Sequence, residues 1–113
     1  MNPDMRTQFL GMALANPLVL ASGVLGTSAS LMERVAREGA GAVTSKSAGP
    51  EPRAGHPNPV ALAWQSGVLN AIGLTNPGAR EEVGVLREAG RRLRAMDVPL
   101  FASIFAPRVE DFA

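Results

Sequence analysis

Residues 18–45 read Leu-Val-Leu-Ala-Ser-Gly-Val-Leu-Gly-Thr-Ser-Ala-Ser-Leu-Met-Glu-Arg-Val-Ala-Arg-Glu-Gly-Ala-Gly-Ala-Val-Thr-Ser, and their patterning decides the fold. Leu18-Val19-Leu20-Ala21 is a short run, apolar on both faces and closed by Ser22-Gly23, as a buried parallel strand requires. Ser30-Leu31-Met32-Glu33 has the form of a capping box, in which a serine hydroxyl and a glutamate carboxylate each satisfy an orphan amide. Behind it Leu31, Met32, Val35 and Ala36 share one helical face, and Gly39 supplies the stop. Ala42-Val43-Thr44-Ser45 is a second short strand. Strand, helix, strand in that spacing is a parallel βαβ unit.

The same alternation continues outward. Towards the N-terminus, residues 6–15 read as a hairpin turning near Gly11. Towards the C-terminus, residues 48–77 are too rich in proline for a helix, but Val60–Trp64 and Val68–Asn70 can pair around Ser66-Gly67. From Gly78 to about Met96 a second helix is expected, with Val83, Leu86, Gly90 and Leu93 as its buried stripe. Pro99–Phe105 reads as a third strand, and Pro107–Ala113 as the acidic start of another helix. The expected class is α/β: about three βα units behind an N-terminal hairpin, in a single domain over residues 1–113. Three strands cannot close a barrel, so the chain reads as a small open sheet or as the first part of something larger.

Composition narrows the chemistry. With 113 residues, 46% of them hydrophobic, and a mean hydropathy of +0.08, the chain has material for one core and does not fit disorder. Eleven Lys+Arg against ten Asp+Glu leave a net charge of +1, which gives no electrostatic case for nucleic acid or an anionic membrane. The lack of cysteine removes disulfides, thiolate nucleophiles and Cys-based metal sites, and a single histidine cannot build a multi-His one, so no metal is expected. The start of the chain does not resemble a signal peptide, and no apolar run approaches the roughly 20 residues of a spanning helix, so a cytoplasmic location is expected.

Candidate chemistry gathers at the strand ends, where parallel α/β folds bind ligands. Ala21-Ser22-Gly23 ends the first strand, Lys46-Ser47 the second, and Ser103 lies in the third. Lys46 follows its strand directly, where a cation could hold a phosphate, a carboxylate or an anionic ring; it could equally reach solvent. Asn70-Ala71-Ile72-Gly73-Leu74 combines an amide side chain with a turn of backbone N–H groups able to hold an anion, or merely connects hairpin to helix. The blander residues are His56, which reads as an exposed loop residue, and Glu51, Glu81 and Glu82, which have no evident partner. Arg87, Arg91, Arg92 and Arg94 form the polar face of a helix, where Glu88 can pair with Arg92. Gly23-Val24-Leu25-Gly26 is neither a dinucleotide fingerprint nor a P-loop.

Five motifs in order carry a resemblance: Asn16-Pro17, Ala21-Ser22-Gly23, Thr44-Ser45-Lys46-Ser47, Pro52-Arg53-x-Gly-x-Pro57, and Asn70-Ala71-Ile72-Gly73-Leu74-x-Asn76-Pro77-Gly78. Together they resemble dihydroorotate dehydrogenase, most closely the soluble class 1 enzymes of the NAD-linked subtype. The resemblance implies the N-terminal portion of a (β/α)₈ barrel that carries FMN at the carboxyl ends of its strands. It further implies oxidation of dihydroorotate to orotate in pyrimidine biosynthesis. Ala21, Ser22, Gly23, Lys46, Ser47 and Ser103 would then face the flavin. Lys46 would also reach the substrate, together with Asn70, Ala71, Ile72, Gly73 and Leu74. An iron–sulfur/FAD electron-transfer subunit and a homo-oligomer of the complete enzyme come with the resemblance. Two positions depart from the family pattern, Val60 where an arginine is frequent and Ser103 where the NAD-linked enzymes commonly place asparagine. The family's general base and much of its phosphate site are expected beyond Ala113, which makes this chain by itself a fragment without catalysis. The rival reading is a non-catalytic partial barrel that works by association with another chain, since three strands leave sheet edges exposed.

Overall fold

The computed structural model describes residues 4–112. A hairpin opens it, β1 (Thr7–Phe9) and β2 (Met12–Leu14), turning through Leu10 and Gly11, which both have positive φ. Positive φ at both central residues matches the right-handed twist of the flanking strands. The hairpin docks through Phe9, whose ring meets that of Phe101 edge to face with centroids 5.8 Å apart.

The main sheet holds β3 (Val19–Leu20), β4 (Ala42–Thr44) and β7 (Leu100–Phe101), all parallel and in the order β3-β4-β7. Helix α1 (Ala29–Arg37) links the first pair, and α2 (Ala79–Arg94) precedes the last strand. The strand order follows the chain without reversal, so right-handed crossovers put both helices on the same face. Their contact is the core: Met32 and Ala36 of α1, Ala89 and Leu93 of α2, and Val43 of β4 are buried together. Outside that core Val19 and Ile104 are exposed, while Phe101 is met by Phe9 of the hairpin. Between β4 and α2 the chain forms the small hairpin β5 (Ala61–Trp64) and β6 (Gly67–Asn70), paired Ala61↔Asn70 to Trp64↔Gly67.

The α/β class, the parallel βαβαβ order and both hairpins agree with the sequence reading, while several details differ. The sheet is open, with no barrel closed among the described residues. Helix α1 is capped by Ser28, whose Oγ accepts from the Leu31 N–H, rather than by Ser30. Glu33 therefore does not close a capping box; its carboxylate accepts instead from Arg37 and from Arg92 of α2. The stop at Gly39 is as expected: φ of +99°, with Gly39 N–H donating to Ala36 O and Ala40 N–H to Val35 O, a Schellman pattern. On α2 the buried positions are Glu82, Ala89 and Leu93; Leu93 is as expected, while Val83 is exposed and the burial at the first two positions lies one residue before Val83 and Gly90. The third strand is shorter than Pro99–Phe105: Ser103 and Ile104 leave the ladder except for one bridge from Ile104 to Ala48. Val109–Phe112 is a single 3₁₀ turn. No helix among the described residues is long and apolar enough to cross a membrane.

Candidate functional site

The three parallel strands end side by side, which brings distant residues together. Ser22 Oγ lies 3.0 Å from Ser47 Oγ, which lies 2.7 Å from Ser103 Oγ. One hydroxyl from each strand end thus forms a continuous chain. Below it Ser45 is fully buried, and its Oγ accepts from the Ser103 N–H at 3.1 Å. The alignment of the first two strand ends depends on Gly26, whose carbonyl accepts from the Lys46 N–H at 2.9 Å. A Cβ on Gly26 would stand 2.5 Å from that nitrogen, so no other residue fits. The sequence offers no local signal for this role, since the contact spans nineteen intervening residues of chain.

In front of the strand ends lies a cavity of about 530 Å³. Ser22, Gly23 and Val24 line it from β3, Lys46 from β4, and Asn70 with the Ala71–Leu74 turn from the small hairpin. Six of the expected cofactor and substrate positions therefore converge with Ser22 and Gly23 on one space. Ala21, Ser47 and Ser103 do not line it; the two serines stand behind it in the hydroxyl chain. Lys46 is half-buried, and among the described residues its ammonium has neither hydrogen bond nor ion pair. The Asn70 amide is likewise without a side-chain partner among them. A cation and an amide left unpaired on the wall of one cavity suit an anionic ligand with a polar ring edge.

The turn itself is built for close approach. Gly73 (φ +82°) and Leu74 (φ +56°) are consecutive left-handed residues. For a leucine this conformation costs on the order of 1–2 kcal/mol, strain of the kind that concentrates at ligand sites. The Ala71 N–H is taken by Val60 O, while those of Ile72, Gly73 and Leu74 have no acceptor among the described residues. Asn76, 7% exposed, holds the turn in place. Its Oδ1 accepts from the N–H groups of Gly49 and Gly78, and its Nδ2 donates to Leu74 O at 2.8 Å. Its spacing in the motif was legible in the sequence, but its role as the tie between two loops was not.

A larger cavity of about 690 Å³ lies on the far side of Leu74, between Pro50–Arg53 and Phe105–Pro107. Its walls are mainly proline, phenylalanine and leucine, and no strand-end polar groups converge on it, so the chemistry favours the smaller space. No cluster of three or more His, Asp or Glu able to hold a metal ion occurs among the described residues.

The sequence profile of the dihydroorotate dehydrogenase family matches residues 4–113. The chain is 48% identical over 104 residues to the catalytic subunit of dihydroorotate dehydrogenase B (NAD(+)) of Methanosarcina mazei, covering 91% of this chain and 32% of that protein. It is 41% identical over 109 residues to the subunit of the same name from Methanocaldococcus jannaschii, covering 96% of this chain and 36% of the relative. The Methanocella arvoryzae counterpart is 45% identical over 105 residues, 90% of this chain and 33% of that one. The chain thus spans about a third of the length of the curated relatives it matches. With the family's profile matched from Asp4 onward and relatives up to 48% identical across nine-tenths of its length, the chain belongs to the dihydroorotate dehydrogenase family.

Proposed function

We propose that this chain is the N-terminal, flavin-facing part of a class 1 dihydroorotate dehydrogenase of the NAD-linked subtype, and that its three strands begin a (β/α)₈ barrel. The observation that carries the proposal is the pairing of an unpartnered Lys46 ammonium with an unpartnered Asn70 amide on one cavity at the strand ends. The residues present fit FMN: a space whose mainly apolar wall carries a hydroxyl, an amide and a cation, with glycine rather than a side chain at position 23. FMN, when bound, would take up the hydride equivalents leaving the substrate. Ser22, Gly23 and Lys46 would hold it directly, with Ser47 and Ser103 behind them and Ala21 at the strand end. The Lys46 ammonium supplies positive charge where charge develops in the reaction, which is how preorganised groups lower barriers. Asn70 and the free N–H groups of Ile72, Gly73 and Leu74 orient the substrate's ring amides and carboxylate.

Dihydroorotate oxidation removes a proton from one carbon and a hydride from the next. The residues of this chain bind and orient; the general base and the remaining phosphate contacts belong to the part of the relatives that this chain does not span. The catalytic-subunit naming of those relatives supports an electron-transfer subunit as partner, and the reading carries a homo-oligomer and a cytoplasmic location with it.

The test is made on the FMN-loaded protein that carries this chain. Under anaerobic stopped flow with dihydroorotate, Lys46→Ala is expected to slow flavin reduction by about 10²-fold or more, the range seen when one preorganised donor is lost. Asn70→Ala is expected to raise the orotate dissociation constant about tenfold, the loss of one good hydrogen bond to a charged or polar ring. Wild-type reduction in the first variant, or unchanged orotate affinity in the second, would overturn the assignment of that residue.

A further inference from the structure

His56 is the only histidine in the chain, and the reading above gives it no part. Although its side chain is exposed, it is not remote from the site. Its backbone N–H donates to Ile72 O at 3.0 Å, within the turn that lines the cavity. Its ring lies against Gly73: a Cβ built on that glycine would stand 2.6 Å from the imidazole Cδ2 and 3.0 Å from Nε2. The Cδ2–Nε2 edge is therefore laid against the residue whose own N–H, with that of Leu74, is free.

The contact sits inside a longer brace. Arg53 and Asn76 exchange both backbone hydrogen bonds, and the Thr75 hydroxyl donates to Ala54 O at 3.0 Å. Ala71 N–H closes the far end on Val60 O. Residues 53–60 thus form a backing strip for the 70–76 turn, and His56 is its one aromatic ring. The electrostatic surroundings are sparse. No charged residue occurs from Pro57 to Gly78, which covers β5, β6 and the turn, and none from Ala21 to Gly26 on the strand end opposite. The charged groups left nearby are Arg53 on the same strip, Glu51 just before it, and Lys46 across the cavity.

We propose that His56 is a positioning residue for the anion-holding turn: it fixes the left-handed Gly73 from behind, and as imidazolium it adds positive charge to the turn's free N–H groups. Carboxylate-bearing ligands then bind more tightly when His56 is protonated. The ligand class rests on the dihydroorotate reading given above; the His56–Gly73 contact does not. Histidine as a residue type is the side chain whose ordinary charge change falls between pH 5 and 8.

Two measurements on the FMN-loaded protein that carries this chain separate the contact from the ligand. In ¹⁵N-resolved spectra without ligand, the Gly73 and Leu74 amide resonances should move with pH between 5.5 and 8, and stay fixed in His56→Gln, which keeps the backbone N–H and loses the charge. Calorimetric titration with orotate should give about fivefold tighter binding at pH 6 than at pH 8, the Coulomb effect of one charge a few ångströms away in a watery setting. His56→Gln should flatten that profile while its thermal midpoint stays near wild type, which a purely structural role would not produce. Amide resonances that ignore pH in the wild type, or a pH profile that survives in His56→Gln, would overturn the proposal. Orotate binding that is equally tight at both pH values would overturn it while leaving the dihydroorotate reading intact. No orotate binding at any pH, with the Gly73 resonance still titrating, would remove that reading and support the positioning contact.

Discussion

Glu82 sits in the first turn of α2 with 4% of its surface exposed, and its Oε1 has no hydrogen-bond partner. Burial raises its pKa above the ordinary carboxylate value, against the pull of the helix N-terminus for negative charge. The sign of the linkage follows. The contribution is fully favourable below the unfolded-state value, where both states are protonated, and is lost as pH rises through the raised native value. Glu82→Gln is therefore expected to stabilise the fold at pH 8 by about 1 kcal/mol, the scale of an uncompensated polar burial, with the gain shrinking towards pH 4. Thermal or urea unfolding at the two pH values measures it; a loss in place of the gain at pH 8 would mean the carboxylate has found a partner. The sequence left Glu82 without an evident partner, and that much was legible. What it did not reveal is that the residue points inwards, because the helical stripe alone did not fix which side of α2 meets α1. Gly26 and Asn76 make the same point for the site: both act on backbone atoms far away in sequence.

The two helices illustrate how elements are stopped, started and tied. Helix α1 begins at Ser28, and the spacing Ser30-x-x-Glu33 is coincidental, since Glu33 is drawn off to Arg37 and Arg92. Ser28→Ala is expected to cost about 1 kcal/mol, the usual worth of an N-cap, and Ser30→Ala a fraction of that. Equal losses measured by chemical denaturation would contradict the cap assignment. Across the helix pair, Glu33 and Glu88 lie among Arg37, Arg91 and Arg92 as one surface network. Hydrogen bonds from Arg91 and Arg92 hold Glu88 down at a pKa of about 2. Its contribution is present above the ordinary carboxylate range and is lost as pH falls towards 2. Solvent screening keeps such a network small in energy, so it orients the helices more than it holds them. At the far end of α2, Asp97 takes the left-handed position (φ +55°) that glycine takes after α1, so the two stops differ in residue but not in geometry.

The whole molecule is more open than its length warrants. Its radius of gyration is 15.8 Å, where a compact domain of this size has about 13 Å. Its accessible surface is 8138 Å², against about 5,900 Å² for a folded monomer of this mass. Much of the surplus is apolar: Leu62, Trp64, Val68 and Leu69 on the small hairpin, Val19 on β3 and Ile104 after β7 are all exposed. Surfaces of that kind, with two free parallel edges, invite association. The 113-residue chain by itself is expected to associate without a fixed stoichiometry as its concentration rises, measured by light scattering after size exclusion. One sharply defined oligomer would instead favour the partial-barrel module that works through another chain.

From the sequence alone came the parallel α/β class, the places of both hairpins and both helices, and the family, because hydrophobic period, turn residues and ordered motifs are local properties of the chain. Tertiary structure decided which serine caps α1, which face of α2 is buried, where the third strand breaks, and that Lys46, Asn70 and the Gly73 turn face one cavity. Those outcomes depend on contacts between residues far apart in sequence, such as Glu33 with Arg92 and Ser45 with Ser103. Steric fit between such partners, as between Gly26 and the Lys46 backbone or His56 and Gly73, exists only once the chain has folded.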